Sequence, residues 1–307
     1  MTQPPSPAAL ADLLSRFADH GGPFGRSVLE LVGDPTFVRY AGRLADWACQ
    51  TLGPSFAEIL VDGYASFVTD VNRCQMEYEV RGSYPDRTYA QVFSEVYGNP
   101  RAMAKYHWGV FCSTVAWEHH LRLLDLFERD FLPRLPARGD LIELASGSGV
   151  WSALTVQDRP GWSGLGIDIS ATSVTAANAL AQAAGLGQRL RFIEGDAMAA
   201  DPGAGLAQAG ISCFVLEHLP DPQRLLDQLA SRIEAHGHAF VTAALTAAEV
   251  DHIREFRRES EIISMAERAG FRLVACLSSA PRRYPAGGRF LPRSIGLVLQ
   301  RRRGEWW

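Results

Sequence analysis

The run Leu141-Ile142-Glu143-Leu144-Ala145-Ser146-Gly147-Ser148-Gly149-Val150-Trp151-Ser152 carries an apolar strand through small residues into a helix. Residues of these types in this order can cradle a nucleotide. Small side chains let the backbone come close to a ligand, and the first turn of the helix offers N–H groups with no partner of their own. Asp168 follows at the tip of a second apolar segment, where a carboxylate about 20 residues on can accept from both hydroxyls of a ribose. A Gly-x-Gly turn alone is weak ground, because tight turns use glycine in any case. The order of the later segments tells more.

Residues 163–168, Ser-Gly-Leu-Gly-Ile-Asp, read as a second buried strand, and 171–184 as the helix after it. Residues 190–197, Leu-Arg-Phe-Ile-Glu-Gly-Asp-Ala, supply a third strand ending in an acid, and 210–222 a fourth strand running into a loop and a helix. On these residues the chain resembles the class I S-adenosylmethionine-dependent methyltransferases. Glu-Leu-Ala-Ser-Gly-Ser-Gly is similar to their first motif, Gly-Ile-Asp-Ile-Ser to their second, Glu-Gly-Asp-Ala to their third and Leu-Glu-His-Leu-Pro-Asp-Pro to their fourth. The resemblance covers roughly residues 138 to 300. A dinucleotide-dependent dehydrogenase fits less well, since it has no comparable use for residues 196–197 or 216–222.

The resemblance implies S-adenosylmethionine as cofactor, leaving as S-adenosylhomocysteine, and it assigns the surrounding residues. Glu143 faces the methionine end, the alternative being a strand-end acid that caps a helix. Gly147 and Gly149 let the backbone meet the cofactor. Asp168, with Ile169 beside it, takes the ribose, while Ser170 is the better cap for the following helix. Asp196 lies beside the adenine amine and Ala197 offers a backbone N–H to a ring nitrogen. Phe214, next to Ser212 and Cys213, flanks the sulfonium or else belongs to the core. Glu217 and His218 shape their loop in preference to reacting. Ala145 stands where the family most often has its first glycine. Because alanine resists positive φ, the expectation is φ below zero at Ala145, with weakened cofactor affinity as the alternative.

Candidates for the acceptor side lie upstream, in Tyr106-His107-Trp108-Gly109-Val110-Phe111-Cys112 and Trp117-Glu118-His119-His120. Such a density of aromatic and histidine side chains can line a pocket for a planar or cationic group, or can simply pack a helical cap. His119 and His120 point about 100° apart on a helix, which argues against a chelating pair; no metal site is expected. Tyr106, His119 and His120 are the candidate catalytic residues, the histidines as bases for a phenol, enol or ammonium.

These groups need a scaffold, and the pattern changes at residues 136–140. Upstream, 7–19, 36–52, 55–70 and 100–130 carry apolar residues at helical spacing. Downstream, strands near 141–145, 163–167, 190–194, 211–215, 238–244, 271–278 and 294–300 alternate with helices up to the sixth. The last two are joined by the proline-rich loop 281–292, too short for a crossover helix, so they pair antiparallel. The expected fold is α/β: a doubly wound, Rossmann-like seven-stranded sheet with an antiparallel last strand (138–307), preceded by a mostly helical cap (1–137). The cap would shape the substrate pocket, or would serve packing or a homodimer.

Composition bounds the function. With 30 basic and 34 acidic residues, a net charge of −4 and a pI near 6.1, the chain lacks the basic excess of a nucleic-acid binder. Five cysteines form no Cys-x-x-Cys pair, the first nine residues do not read as a signal peptide, and no apolar run is long enough for a membrane span. The expectation is a cytoplasmic enzyme with a small-molecule substrate, in the biosynthesis of a specialised metabolite. The alternatives are methylation of a peptide or carrier-bound substrate, or a non-catalytic protein that retains the fold.

Overall fold

Alternation along the strands sorts apolar side chains to the two faces of one sheet. In β1 (Gly139–Leu144), Leu141 packs to one side while Ile142 and Leu144 pack to the other. The computed structural model describes residues 7–199, 205–284 and 287–303. The proline-rich start, residues 1–6, and residues 285–286 of the last loop lie outside that description. Seven strands form the sheet: β1, β2 (Trp162–Asp168), β3 (Leu190–Glu194), β4 (Ala207–Cys213), β5 (Ile233–Leu245), β6 (Phe271–Ser279) and β7 (Arg293–Arg301). Their order is β3-β2-β1-β4-β5-β7-β6, and β7 runs antiparallel to both neighbours. This is the expected Rossmann-like sheet with its reversed last strand.

One face is covered by α10 (Pro222–Ser231) and α11 (Glu259–Arg268), whose Leu225, Leu229 and Ile262 meet Val241 and Leu297. The other carries α8 (Val150–Asp158), α9 (Ala171–Ala183) and the amino-terminal helices α1 (Pro7–His20), α2 (Gly22–Leu29), α3 (Pro35–Leu52), α4 (Phe56–Arg81), α6 (Pro100–Ala116) and α7 (Glu118–Leu126), whereas the short α5 (Tyr89–Val92) packs through Tyr89 on the cluster of the first face and through Val92 on Val96 and Met103. Local signals set several helix starts. Asp34, Asn99 and Asp221 cap α3, α6 and α10 through side-chain bonds to backbone N–H groups, each followed by a proline. Phe127 and Phe131, just past α7, pack on Phe240 of β5, so the cap and the sheet share one core.

Three differences from the sequence expectations matter for the site. The helix expected over 100–130 is interrupted at Trp117, which is extended (φ −108°, ψ 124°). Its ring stacks on Phe67 of α4, with centroids 5.4 Å apart, a contact that spacing within one segment does not reveal. α4 runs on to Arg81 and stops at Gly82 in the left-handed conformation (φ 80°). α2 and the α5 segment were not foreseen, because neither is long enough to show a helical period.

Candidate functional site

The turn after β1 holds three residues at positive φ: Ala145 (54°), Gly147 (51°) and Gly149 (70°). The expectation of a negative φ at Ala145 is therefore corrected. A sharp strand-to-helix turn needs a left-handed residue there, at a cost of roughly 1–2 kcal/mol for alanine. Bonds to the neighbouring strand hold it: Ser146 N–H donates to the Ile167 carbonyl at 3.1 Å, and Gly147 N–H to Asp168 Oδ2 at 2.7 Å. The ring of Phe192 supports the turn from β3. A Cβ at Gly149 would lie 2.3 Å from that ring, whereas a Cβ at Gly147 would meet no atom of the described residues within 4 Å apart from its chain neighbours. The backbone at Gly147 thus faces open space.

Asp168 joins two turns, accepting from Gly147 N–H on one oxygen and from Ser170 N–H at 2.9 Å on the other. Each oxygen keeps a further lone pair for a ligand hydroxyl. Burial raises the pKa of this carboxyl against those two bonds. Ser170 caps α9 through Ser173 N–H, and Ile169 lies half-buried between them. Asp196 is exposed and accepts from Met198 N–H at 2.8 Å, with Ala197 buried beside it. Tyr89, from the cap, packs in the cluster that contains Ala145, Ile193 and Met198. Burial and the nearby Asp196 and Asp168 carboxylates push its hydroxyl pKa up. Sequence reasoning missed Tyr89, since nothing in its own segment ties it to residues more than fifty positions away.

Glu143 is almost fully buried and accepts from the Ser152 hydroxyl of α8. Burial pushes its pKa to about 8. Ser146 Oγ and Ser212 Oγ are buried at the ends of β1 and β4 without a hydrogen-bond partner. A polar ligand over this turn supplies what such groups lack, so the residues fit a nucleoside cofactor with a charged tail.

Phe214 follows β4 at φ 53°, its N–H donating to the carbonyl and hydroxyl of Thr242 on β5. Its ring meets His120, with centroids 4.6 Å apart. From there an aromatic wall runs into the cap: His120 and His119 contact Trp117, Trp117 stacks on Phe67, and Phe67 meets Tyr106 edge-on. His120 Nδ1 lies 3.0 Å from the Ser113 carbonyl at the end of α6. A carbonyl only accepts, so Nδ1 carries the proton and Nε2 the lone pair. Burial holds His119 down to about 4 and His120 well below the usual histidine range. The structure therefore links His120 directly to the motif residue Phe214 and leaves His119 stacked behind it on Trp117. Tyr106 is placed apart from both histidines, beside Asp251, and burial raises its pKa well above that of free tyrosine.

Asp251 belongs to a second cluster, with Glu217, His218, Glu249 and His252, at the carboxyl ends of β4 and β5. Glu217 has the loop-shaping role expected of it: a side-chain oxygen accepts from Ala244 N–H, and its carbonyl accepts from Ile253 and Arg254 N–H. The sequence gives no warning of the cluster, because its donors come from two loops separated by a strand.

Taken together, the reversed seventh strand, the glycine turn and the acids closing β2 and β3 define a class I S-adenosylmethionine-dependent methyltransferase. The chain belongs to the methyltransferase-domain family, whose model matches residues 116–276, rather more than half of it. No curated protein matches the sequence. Among solved structures, the fold is similar to a Galdieria sulphuraria protein assigned as a sarcosine dimethylglycine methyltransferase: TM-score 0.51, 13% identity, 60% of this chain and 86% of that one. The [4+2]-cyclase SpnF aligns with TM-score 0.49 and 16% identity over 76% of this chain and 97% of its own. The geranyl diphosphate C-methyltransferase of Streptomyces coelicolor A3(2), solved with Mg2+, geranyl diphosphate and S-adenosyl-L-homocysteine, aligns with TM-score 0.47 and 9% identity over 59% and 78%. Among the described residues no helix is long and apolar enough to cross a membrane.

Proposed function

We propose that the protein methylates an oxygen, nitrogen or carbon nucleophile of a small molecule held between the helical cap, taken as residues 1–137, and the carboxyl ends of β1 and β4. The observation that carries this reading is the contact between His120 of the cap and Phe214 of the fourth motif. It brings a histidine with a lone pair on Nε2 to the residue expected beside the reactive sulfur. S-adenosylmethionine, when bound, supplies a methyl group activated on a sulfonium.

The chain's own residues bind and orient. Asp168, Ile169 and the backbone of Ala145, Gly147 and Gly149 would hold the ribose and its neighbours, Asp196 and Ala197 the adenine, and Glu143 the charged methionine end. Phe214 would lie along the sulfur. Alignment of reactants in a closed site can supply up to roughly 7–11 kcal/mol. His120 is neutral at pH 7 because burial disfavours its charged form, which frees Nε2 to accept the acceptor's proton while making it a weaker base than a free imidazole; a well-matched base is worth roughly 10²–10⁴-fold. His119, stacked on Trp117, is the second base candidate. Tyr106 stays protonated with its hydroxyl given to the Asp251 carboxylate, so its part is to line the pocket. The five cysteines, all unpaired, suit a reducing compartment and support a cytoplasmic location.

The test is transfer of labelled methyl groups to two panels, one of small phenols, enols, amines and carboxylic acids, the other of peptides. Label in the first panel, reduced in a His120→Asn variant, supports the reading. Label only in peptides would replace it with an open-groove enzyme.

A further inference from the structure

Beyond the cofactor cradle, the loops after β4 and β5 bring together side chains that the proposed methyl transfer does not use. Ligand atoms of Glu217, His218 and His252 lie within 4.8 Å of one another, and so do those of Glu249, Asp251 and His252. Glu217 and Asp251 are wholly buried and His252 nearly so. Among the described residues, Glu217 Oε2 and Asp251 Oδ1 have no hydrogen-bond partner. A buried carboxylate oxygen without a partner is costly, and three carboxylates gathered out of water are more so. Among the described residues no ion pair brings a lysine or arginine to any of the three; their recorded pairings are with His218 and His252.

The histidines are oriented as ligands. His252 Nδ1 lies 2.7 Å from the Ala247 carbonyl and must donate to it, which leaves the lone pair on Nε2. That Nε2 is 3.7 Å from Glu249 Oε2, too long for a hydrogen bond. It is a separation that two ligands of one ion, each about 2.0–2.2 Å from it, can adopt. His218 is fixed in the same way. Tyr97 donates to Asp251 Oδ2 at 2.9 Å, so its oxygen accepts from His218 Nδ1 at 3.0 Å, with the Asp251 carbonyl at 3.2 Å. His218 Nε2 is left as the lone-pair atom. A ring nitrogen bonded to a carbonyl or hydroxyl behind, with the other nitrogen free in front, is the usual arrangement of a metal-bound histidine.

We propose that Glu217, His218, Glu249, Asp251 and His252 form a site for one divalent transition-metal cation. Two imidazoles with carboxylates favour a first-row transition ion over magnesium or calcium, which prefer oxygen ligands throughout. Centred on His252, which belongs to both groups, the cation balances buried carboxylates and gives a partnerless carboxylate oxygen a bond. Through Tyr97 and Tyr106 it ties the cap to the loop after β5. The simpler alternative is a set of protonated acids held by hydrogen bonds alone, and it binds no ion.

The experiment uses the full, tag-free chain, stripped with a chelator and without S-adenosylmethionine, so its outcome is independent of methyl transfer. Co2+ is titrated by visible absorption, and Zn2+ and Mn2+ by calorimetry, with melting temperatures recorded in parallel. The expected result is one ion per chain, Co2+ bands of nitrogen and oxygen ligation, a raised melting temperature, and at least a hundredfold weaker binding in Asp251→Asn and His252→Gln. The wild-type Co2+ spectrum decides the matter even if a variant fails to fold. No uptake of any of the three ions at millimolar concentration overturns the proposal. So does a thiolate charge-transfer band, or binding unchanged in both variants.

Discussion

On the cofactor side of the crevice, every candidate residue lies within five positions of a strand end: Glu143 to Gly149 at the end of β1 and just past it, Asp168 and Ile169 at β2, Asp196 and Ala197 after β3, and Phe214 after β4. On the acceptor side, Phe67, Tyr106, Trp117, His120 and Asp251 come from separate helices and a loop, and meet only through tertiary packing. The first side is built from local turns, whose backbone demands leave marks in sequence. The second is built from contacts between distant segments. Backbone strain is found at strand ends, where Ala145, Phe214 and Thr246 adopt positive φ just after β1, β4 and β5. Strain of this kind, costing on the order of 1–3 kcal/mol per residue, persists where surrounding structure over-determines the chain.

The contrast predicts that substitutions on the two sides separate catalysis from cofactor binding. His120→Asn is expected to lower kcat by roughly 10²–10⁴-fold while the Kd for S-adenosylmethionine changes little. Steady-state kinetics beside calorimetry reads both, and an equal loss in both quantities would erase the division.

The cofactor side carries the next effect, through Glu143. Burial raises its folded pKa to about 8 from a usual 4.5. Sign follows directly: the unliganded protein loses stability as pH climbs from about 4.5 towards 8, because the buried carboxyl resists ionising while the unfolded one does not. A cationic ligand tail favours the carboxylate. Cofactor binding at pH 7 should therefore release a proton, and affinity should rise with pH up to about 8, by at most about tenfold per unit. Calorimetry in buffers of different ionisation enthalpy measures the release. Retention of the full release in Glu143→Gln would assign it to another group.

The smallest effect tests the turn itself. Ala145→Gly relieves a left-handed alanine but adds freedom to the unfolded chain, so a net gain of up to about 1 kcal/mol is expected in denaturant unfolding. A loss of stability would mean that the alanine methyl contributes more through packing than its backbone costs.

How far the sequence could be read follows the same division. The sheet and its reversed last strand were legible because alternating apolar runs and turn residues sit next to one another along the chain, and the same strand-end turns supplied the cofactor candidates. Ala145 was misjudged because a preference against positive φ is weaker than the demand of a sharp turn pinned by Ile167 and Asp168. The break at Trp117 was invisible because the ring it stacks on, Phe67, lies fifty residues away. Tyr89 and the Glu217–His252 cluster were missed for the same reason. Spacing within one segment says nothing about donors that a fold brings together from several.

Asp168 clamps the turn after β1, and in the proposed function it also receives the ribose. The most direct test is calorimetric titration of the protein with S-adenosylmethionine and S-adenosylhomocysteine, repeated with Asp168→Ala and Asp168→Asn. Charge-assisted hydrogen bonds of about 1.5–3 kcal/mol each predict saturable binding in the wild type, weakened at least roughly a hundredfold in the alanine variant. Failure of the wild type to bind either ligand at millimolar concentration, or undiminished binding by both variants, would contradict it.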